Sequence, residues 1–327
     1  MQTAENRSRI FEIFGPNTVI VLVYFGLLMA LFLSYGVRLQ LTHFKLWSIF
    51  LSTLLVIYLS STLVQHARQG AVAELPFLPF AGRKLVRFAI DWFPLVALVT
   101  IYENLREYTG VIRTDSIDAT LYNLDLLIFG VEPTVWIQKF TNPILTEYFA
   151  FTYTLYLMLP LSLGWLFYLF SHRRAFHTLT TAVILTLCIG FVLYLVFPAG
   201  PPRFYLAGLF DPPQLQGYFG YYNAMQTRFD AVNPMTYRAS FPSLHVALSS
   251  LALIFVTRFR AIVPFWKLLV PVYALLVVSL WIATVYLRHH WAVDIFAGWG
   301  VAALATACAL WIQKRWPRYE ESNRSMA

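Results

Sequence analysis

Charge is what this chain has least of. Asp, Glu, Lys and Arg make up 12% of its 327 residues, against 59% hydrophobic, so few side chains remain to clothe a water-facing surface. That scarcity, with a mean hydropathy of +0.62, excludes an ordinary soluble domain. Cysteine is scarce as well. Cys188 and Cys308 are the two present, both within apolar runs, which excludes a disulfide framework and reads as buried, inert thiols. Basic runs interleaved with aromatics are missing, so the net charge of +8 does not point to nucleic acid. Loop lysines and arginines meeting anionic headgroups account for it instead. The chain also lacks low-complexity tracts, an evident repeat and a polar domain. No short apolar segment near its start precedes a small-residue cleavage site, so the first apolar run is expected to be a retained helix.

What the chain has is long apolar runs. Crossing a hydrocarbon core of ~30 Å takes about 20 residues. Eight runs approach that length: 17–36, 44–64, 88–106, 145–170, 178–198, 242–258, 267–287 and 291–312. The fold class expected is all-α, a polytopic membrane helix bundle of about eight transmembrane helices. Pro160 predicts a kink in the fourth run. Eight spans put both termini on one side. Most of the 24 basic residues share that side, among them Arg83, Lys84, Arg87, Arg173, Arg174, Arg258, Arg260, Lys267, Lys314 and Arg315. The positive-inside rule then makes the termini cytoplasmic.

Two long connections fall on the opposite, external side. One, 107–142, contains Ile117-Asp118-Ala119-Thr120-Leu121-Tyr122-Asn123-Leu124-Asp125-Leu126-Leu127, in which polar and apolar residues alternate at helical spacing, as in a helix lying in the interface. The other, 200–240, is rich in Pro, Gly and aromatics, including Tyr218, Phe219, Tyr221 and Tyr222, and reads as an interfacial lid or belt.

Two polar signatures open apolar runs on that external side: Ser240-Phe241-Pro242-Ser243-Leu244-His245 and Arg288-His289-His290-Trp291-Ala292-Val293-Asp294. Ionisable groups at membrane depth are costly unless they face a cavity and serve a reaction. Pro242 suits the first turn of a helix, so Ser243 and the free N–H groups of that turn would meet a phosphate oxygen. His245 is then placed to donate a proton to a departing oxygen. His290 and Asp294, at i and i+4, would share one helix face. The carboxylate fixes the imidazole tautomer and leaves the other nitrogen to attack. His289, about 100° round such a helix, is expected to be structural or interfacial. Arg203, in Gly200-Pro201-Pro202-Arg203, together with Arg238 and Arg288, supplies guanidinium groups for phosphate oxygens. Two other readings stay open on these residues alone: a metal site of His245, His290 and Asp294, and the His/Asp/Arg relay of an anion or proton transporter.

These residues resemble a known family. Pro242-Ser243-Leu244-His245 is similar to the second motif of the type 2 phosphatidic acid phosphatase superfamily, and His290 to Asp294 is similar to the His-x-x-x-Asp that ends its third. Ala283-Thr284-Val285-Tyr286-Leu287-Arg288-His289-His290 and Gly200-Pro201-Pro202-Arg203 resemble the branch that holds inositol phosphorylceramide synthase and its bacterial relatives. The first motif, Lys-x₆-Arg-Pro, is absent, so Arg203 with Arg288 or Arg238 is expected to stand in for it. Asp91-Trp92-Phe93-Pro94 and the run Tyr102 to Arg106 also look like the bacterial relatives, and Glu103 and Arg106 are expected to form a helix-end ion pair.

The resemblance implies two extra N-terminal helices over 1–87, a six-helix core over 88–313 and a cytoplasmic tail over 314–327. It implies a phosphoryl-transfer enzyme that needs no metal and no other cofactor and acts on a phospholipid or lipid-linked phosphate. Its site would face the extracytoplasmic side of the membrane, the bacterial inner or plasma membrane. His290 would be the nucleophile, Asp294 its orienting group and His245 the acid and base. Ser243, Arg203, Arg288 and Arg238 would hold phosphate.

Overall fold

The computed structural model describes residues 15–36, 77–105, 109–230 and 238–315, with scattered helical positions between 52 and 62. The chain forms two compact units, Met1–Asn104 and Leu105–Ala327. Among the described residues it is all-α, and the one β feature is a bridge between Ala199 and Ala239.

In the first unit, α1 (Pro16–Ser34) starts on a proline that needs no partner for its missing N–H, and α2 (Phe77–Leu105) carries Pro94 inside it. Phe88 and Trp92, one turn apart on α2, stack at 6.0 Å. Most of the expected 44–64 span, the tail beyond Arg315, and the Glu103 and Arg106 side chains lie outside the described residues.

The second unit contains α3 (Asp118–Phe129), α4 (Pro143–Thr154), α5 (Met158–Leu169), α6 (Arg173–Val196), α7 (Tyr221–Asp230), α8 (Leu244–Arg258), α9 (Trp266–Tyr286) and α10 (Val293–Arg315). The fourth expected span is a bent pair, α4 and α5, at 48°. Pro160 explains the place of the break: it has no N–H to offer Tyr156, four residues back, and its ring crowds that carbonyl. Among the described residues, five helices are long and apolar enough to cross a membrane (α1, part of α2, α6, α9 and α10), and the bent pair makes a sixth. α8, with 15 residues, extends only ~22 Å.

α10 packs on α6 and α8, and α9 packs on α8 and α4. Closeness between α8 and α10 depends on Gly298. A Cβ there would stand 2.7 Å from the carbonyl oxygen of Ser243 and 3.0 Å from Cβ of Val246. The apolar surface left outside, such as Leu268, Leu275 and Leu304, faces outward as a bundle in lipid requires.

Candidate active site

α8 begins where Ser243 caps it. The Ser243 hydroxyl oxygen accepts from the Val246 N–H at 3.3 Å, and the residue is fully buried. Pro242 stands ahead of this cap, outside the first turn in which the sequence placed it, because serine supplies the acceptor that a helix start needs and proline does not. His245 follows in the first turn of α8.

The second histidine signature is not helical. α9 ends at Tyr286, Arg288 takes a positive φ of 62°, and the N–H groups of His289 and His290 both reach the Thr284 carbonyl at 3.1 Å. α10 starts only at Val293. His290 and Asp294 meet across this turn rather than along a helix face, so the angular argument that set His289 aside loses its premise.

The Asp294 carboxylate is completely buried and collects three donors on one oxygen. Oδ2 lies 3.1 Å from His290 Nδ1, 3.1 Å from the Trp291 N–H and 3.2 Å from the Ser240 hydroxyl. The Ser240 carbonyl stands 3.0 Å from the same His290 nitrogen. Two acceptors on Nδ1 assign the proton there and leave the lone pair on Nε2. Nε2 in turn lies 3.3 Å from His245 Nδ1. Ser240 was legible as part of the hexapeptide, but its part in holding His290 was not.

Aromatic rings brace this pair. The Tyr153 ring stacks on His245 at 4.1 Å and on His289 at 4.9 Å, and Tyr156 approaches His245 at 4.2 Å. Both tyrosines sit at the break between α4 and α5, inside an apolar run, where no sequence signal separates them from core aromatics.

Of the three arginines expected to hold phosphate, the structure brings Arg203 to the histidines. Its backbone N–H donates to the Arg288 carbonyl at 3.1 Å, one Nη contacts His289 Nδ1, and the other lies 3.6 Å from Asp230 at the end of α7. Accepting from a guanidinium requires Nδ1 of His289 to be unprotonated. Burial first, and then the charge of Arg203, push its pKa well below the ordinary histidine value. His289 is thus a neutral neighbour of Arg203. Arg288 donates instead to the carbonyls of Pro212 and Pro213, at 3.0–3.1 Å, and covers the Phe210 ring. Arg238 faces Asp118 at 3.4 Å. Cys188 and Cys308 are free thiols. Among the described residues, no group of three or more His, Cys, Asp or Glu is arranged to hold a metal ion.

The model of the PAP2 superfamily matches residues 121–308, from within α3 to within α10. That stretch is more than half of the chain and contains every residue described at this site apart from Asp118. The chain belongs to the PAP2 superfamily. It is also 25% identical over 257 residues to a phosphoinositol dihydroceramide synthase of Bacteroides thetaiotaomicron, covering 73% of this chain and 82% of that relative. No solved structure matches. The expected likeness to inositol phosphorylceramide synthase-like members of the superfamily is borne out, and the protein is a lipid phosphoryl-transfer enzyme.

Proposed function

We propose that the protein transfers phosphoinositol from a phospholipid to a lipid alcohol through a phosphohistidine on His290, at the external face of the membrane. The observation that carries the reading is the His290 ring, fixed by Asp294 and the Ser240 carbonyl on one nitrogen and facing His245 with the other. In the first step Nε2 forms a bond to phosphorus while the bond from phosphorus to the donor's glycerol oxygen breaks. His245 gives its proton to that oxygen. In the second step the acceptor hydroxyl returns a proton to His245, and its oxygen takes the phosphorus from Nε2. Asp294 stabilises the imidazolium character that develops in both. Arg203 neutralises charge on the non-bridging oxygens, and Ser243 fixes the turn that carries His245. Arg288 and Arg238 serve by shaping the loops around Arg203.

Two observations support the choice of donor and of side. The name of the Bacteroides relative contains both phosphoinositol and dihydroceramide. Charge supports the external side: Arg173 and Arg174 on α6, Arg258 on α8, Lys267 on α9, and Lys314 and Arg315 on α10 all stand at helix ends opposite the histidines.

The test is mass spectrometry of products from purified protein in mixed micelles of phosphatidylinositol and dihydroceramide. A new inositol-phosphate-bearing sphingolipid and released diacylglycerol are expected, both lost in His290→Ala. Release of free inositol phosphate alone would make water the acceptor, and wild-type turnover by His290→Ala would end the phosphohistidine reading.

A further inference from the structure

α3 inverts the usual order of an amphipathic surface helix. Asp118, Leu121 and Asp125, at i, i+3 and i+7, form its inward face and are buried, with Asp125 completely so, while Leu127 and Ile128 stand outside at 80% and 53% exposure. Two buried carboxylates cost several kcal/mol each unless every oxygen finds a donor. Here the donors come from the segments that carry the reacting groups.

Asp125 offers one oxygen to the N–H of Ala292 and the other to the N–H of Val293, both at 2.9 Å. Those two residues lie between His290 and Asp294, and Val293 opens α10, so Asp125 caps the helix start on which the nucleophile turn is built. Asp118 accepts from the Gly200 N–H at 2.8 Å, three residues before Arg203, and its other oxygen faces Arg238, two residues before Ser240. Between them, Leu121 packs in one cluster with Ala199, Trp291 and Val293. The Trp291 indole closes the set by donating to the Gly200 carbonyl at 3.1 Å. One face of one short helix thus touches the Arg203 segment, the Ser240 segment and the His290–Asp294 turn.

We propose that Asp118 and Asp125 are positioning residues for phosphoryl transfer, and that α3 is the template holding the three site segments in register. The proposal rests on the phosphohistidine reading, and the two divide the labour. Asp125 holds the attacking turn and acts on kcat. Asp118 holds the phosphate-binding segment and acts on KM.

The test uses the full-length protein in the phosphatidylinositol and dihydroceramide micelles, with Asp125→Asn, Asp118→Asn and His290→Ala side by side. Asparagine keeps the size but turns an N–H₂ toward a backbone N–H or a guanidinium. Carboxylates that orient metal-bound side chains are worth about 10–100-fold, and the same scale is expected for a carboxylate that orients a nucleophile. Asp125→Asn should lower kcat by about that factor with KM within about twofold; Asp118→Asn should raise KM with a smaller change in kcat. If His290→Ala is inactive while both asparagine variants keep wild-type constants, the template idea is overturned and the phosphohistidine reading stands. If His290→Ala is as active as wild type, it is that reading which fails. Should Asp125→Asn not fold, Asp125→Glu keeps the charge and displaces it by a methylene. A folded Glu variant of reduced kcat supports positioning; one with wild-type kcat, or failure of both variants to fold, reduces Asp125 to a structural cap and overturns the proposal.

Discussion

Nε2 of His290 lies 3.3 Å from Nδ1 of His245, so the two rings share one proton position and leave room for phosphorus only by parting. This contact predicts a leaving-group signature. General acid catalysis contributes about 10²–10⁴-fold, and the contribution shrinks as the departing oxygen needs a proton less. His245→Ala should therefore lose activity of that order on a lipid substrate. It should lose far less on a nitrophenyl phosphodiester, whose leaving group departs unprotonated. Equal losses on both substrates would remove His245 from the acid role.

Asp294 predicts a second outcome. Its oxygen sets the proton on His290 Nδ1, and an amide in its place can donate to that nitrogen and turn the tautomer over. In a serine protease triad, the analogous change costs about 10⁴-fold. Asp294→Asn should approach that loss; an amide turned toward His290 no longer accepts from the Trp291 N–H and the Ser240 hydroxyl, which use the same oxygen, so a melting curve accompanies the assay. Transfer within tenfold of wild type in the micelle assay would show that the carboxylate does not control the tautomer.

Much of this was legible beforehand, for reasons particular residues make plain. The apolar runs show where the helices lie because lipid demands about 20 residues of one character, and His245, His290 and Asp294 stand out because that setting tolerates few ionisable groups. Placement at the ends of helices was less legible. The i, i+4 spacing of His290 and Asp294 reads as a helix, yet the positive φ at Arg288 and the double N–H contact to Thr284 make a turn there. The arginines differ for a similar reason. All three stand near the motifs in sequence, but whether a guanidinium meets a histidine, a proline carbonyl or an aspartate depends on loop paths that spacing does not encode. Tyr153 carried no signal at all, since a ring stacked on histidine and a ring in a core look alike in a sequence.

Gly298 gives a prediction about packing. An added methyl group would press on the carbonyl of Ser243, which is backbone and cannot swing away, and on Val246. Overpacking of this sort costs about 1–3 kcal/mol. Gly298→Ala should lower the melting temperature and, because it displaces the turn bearing His245, reduce kcat as well. A variant with wild-type melting and kcat would mean that the helices separate there without moving the site.

Asp230 predicts a gain instead of a loss. It stands 3.6 Å from Arg203, where a substrate phosphate would have to stand, and its side chain is half-exposed. Only the Asp230 end is open to solvent, and at 3.6 Å the pair is loose, so it contributes the ~1 kcal/mol of a surface pair and removing the competitor should lower KM by about fivefold. Asp230→Asn should show this in the micelle assay, most clearly at low ionic strength, because added salt already weakens the pair in the wild type. A raised KM would mean that Asp230 helps to shape the phosphate site rather than competing for it.

The last prediction concerns pH and has opposite signs for activity and stability. Burial pushes the Asp125 carboxyl up to about 7; the carboxylates of Asp294, on α10, and Glu132, ahead of the turn Pro133–Trp136, act the same way, against the Ala292 and Val293 N–H groups. Above that pH both oxygens accept and the nucleophile turn is held. Below it a proton replaces one acceptor, so kcat should fall as pH drops through about 7. Stability runs the other way. A folded carboxyl raised from 3.8 binds its proton more tightly than the unfolded chain does, so this contribution is full below about pH 4 and is lost as pH rises toward 7. Melting temperature and kcat measured between pH 5.5 and 8.5 should therefore move apart. Asp125→Asn should flatten the Asp125 component of both. If kcat and melting rise and fall together in the wild type, or if the variant's profiles superimpose on it, Asp125 does not link protonation to the geometry of His290.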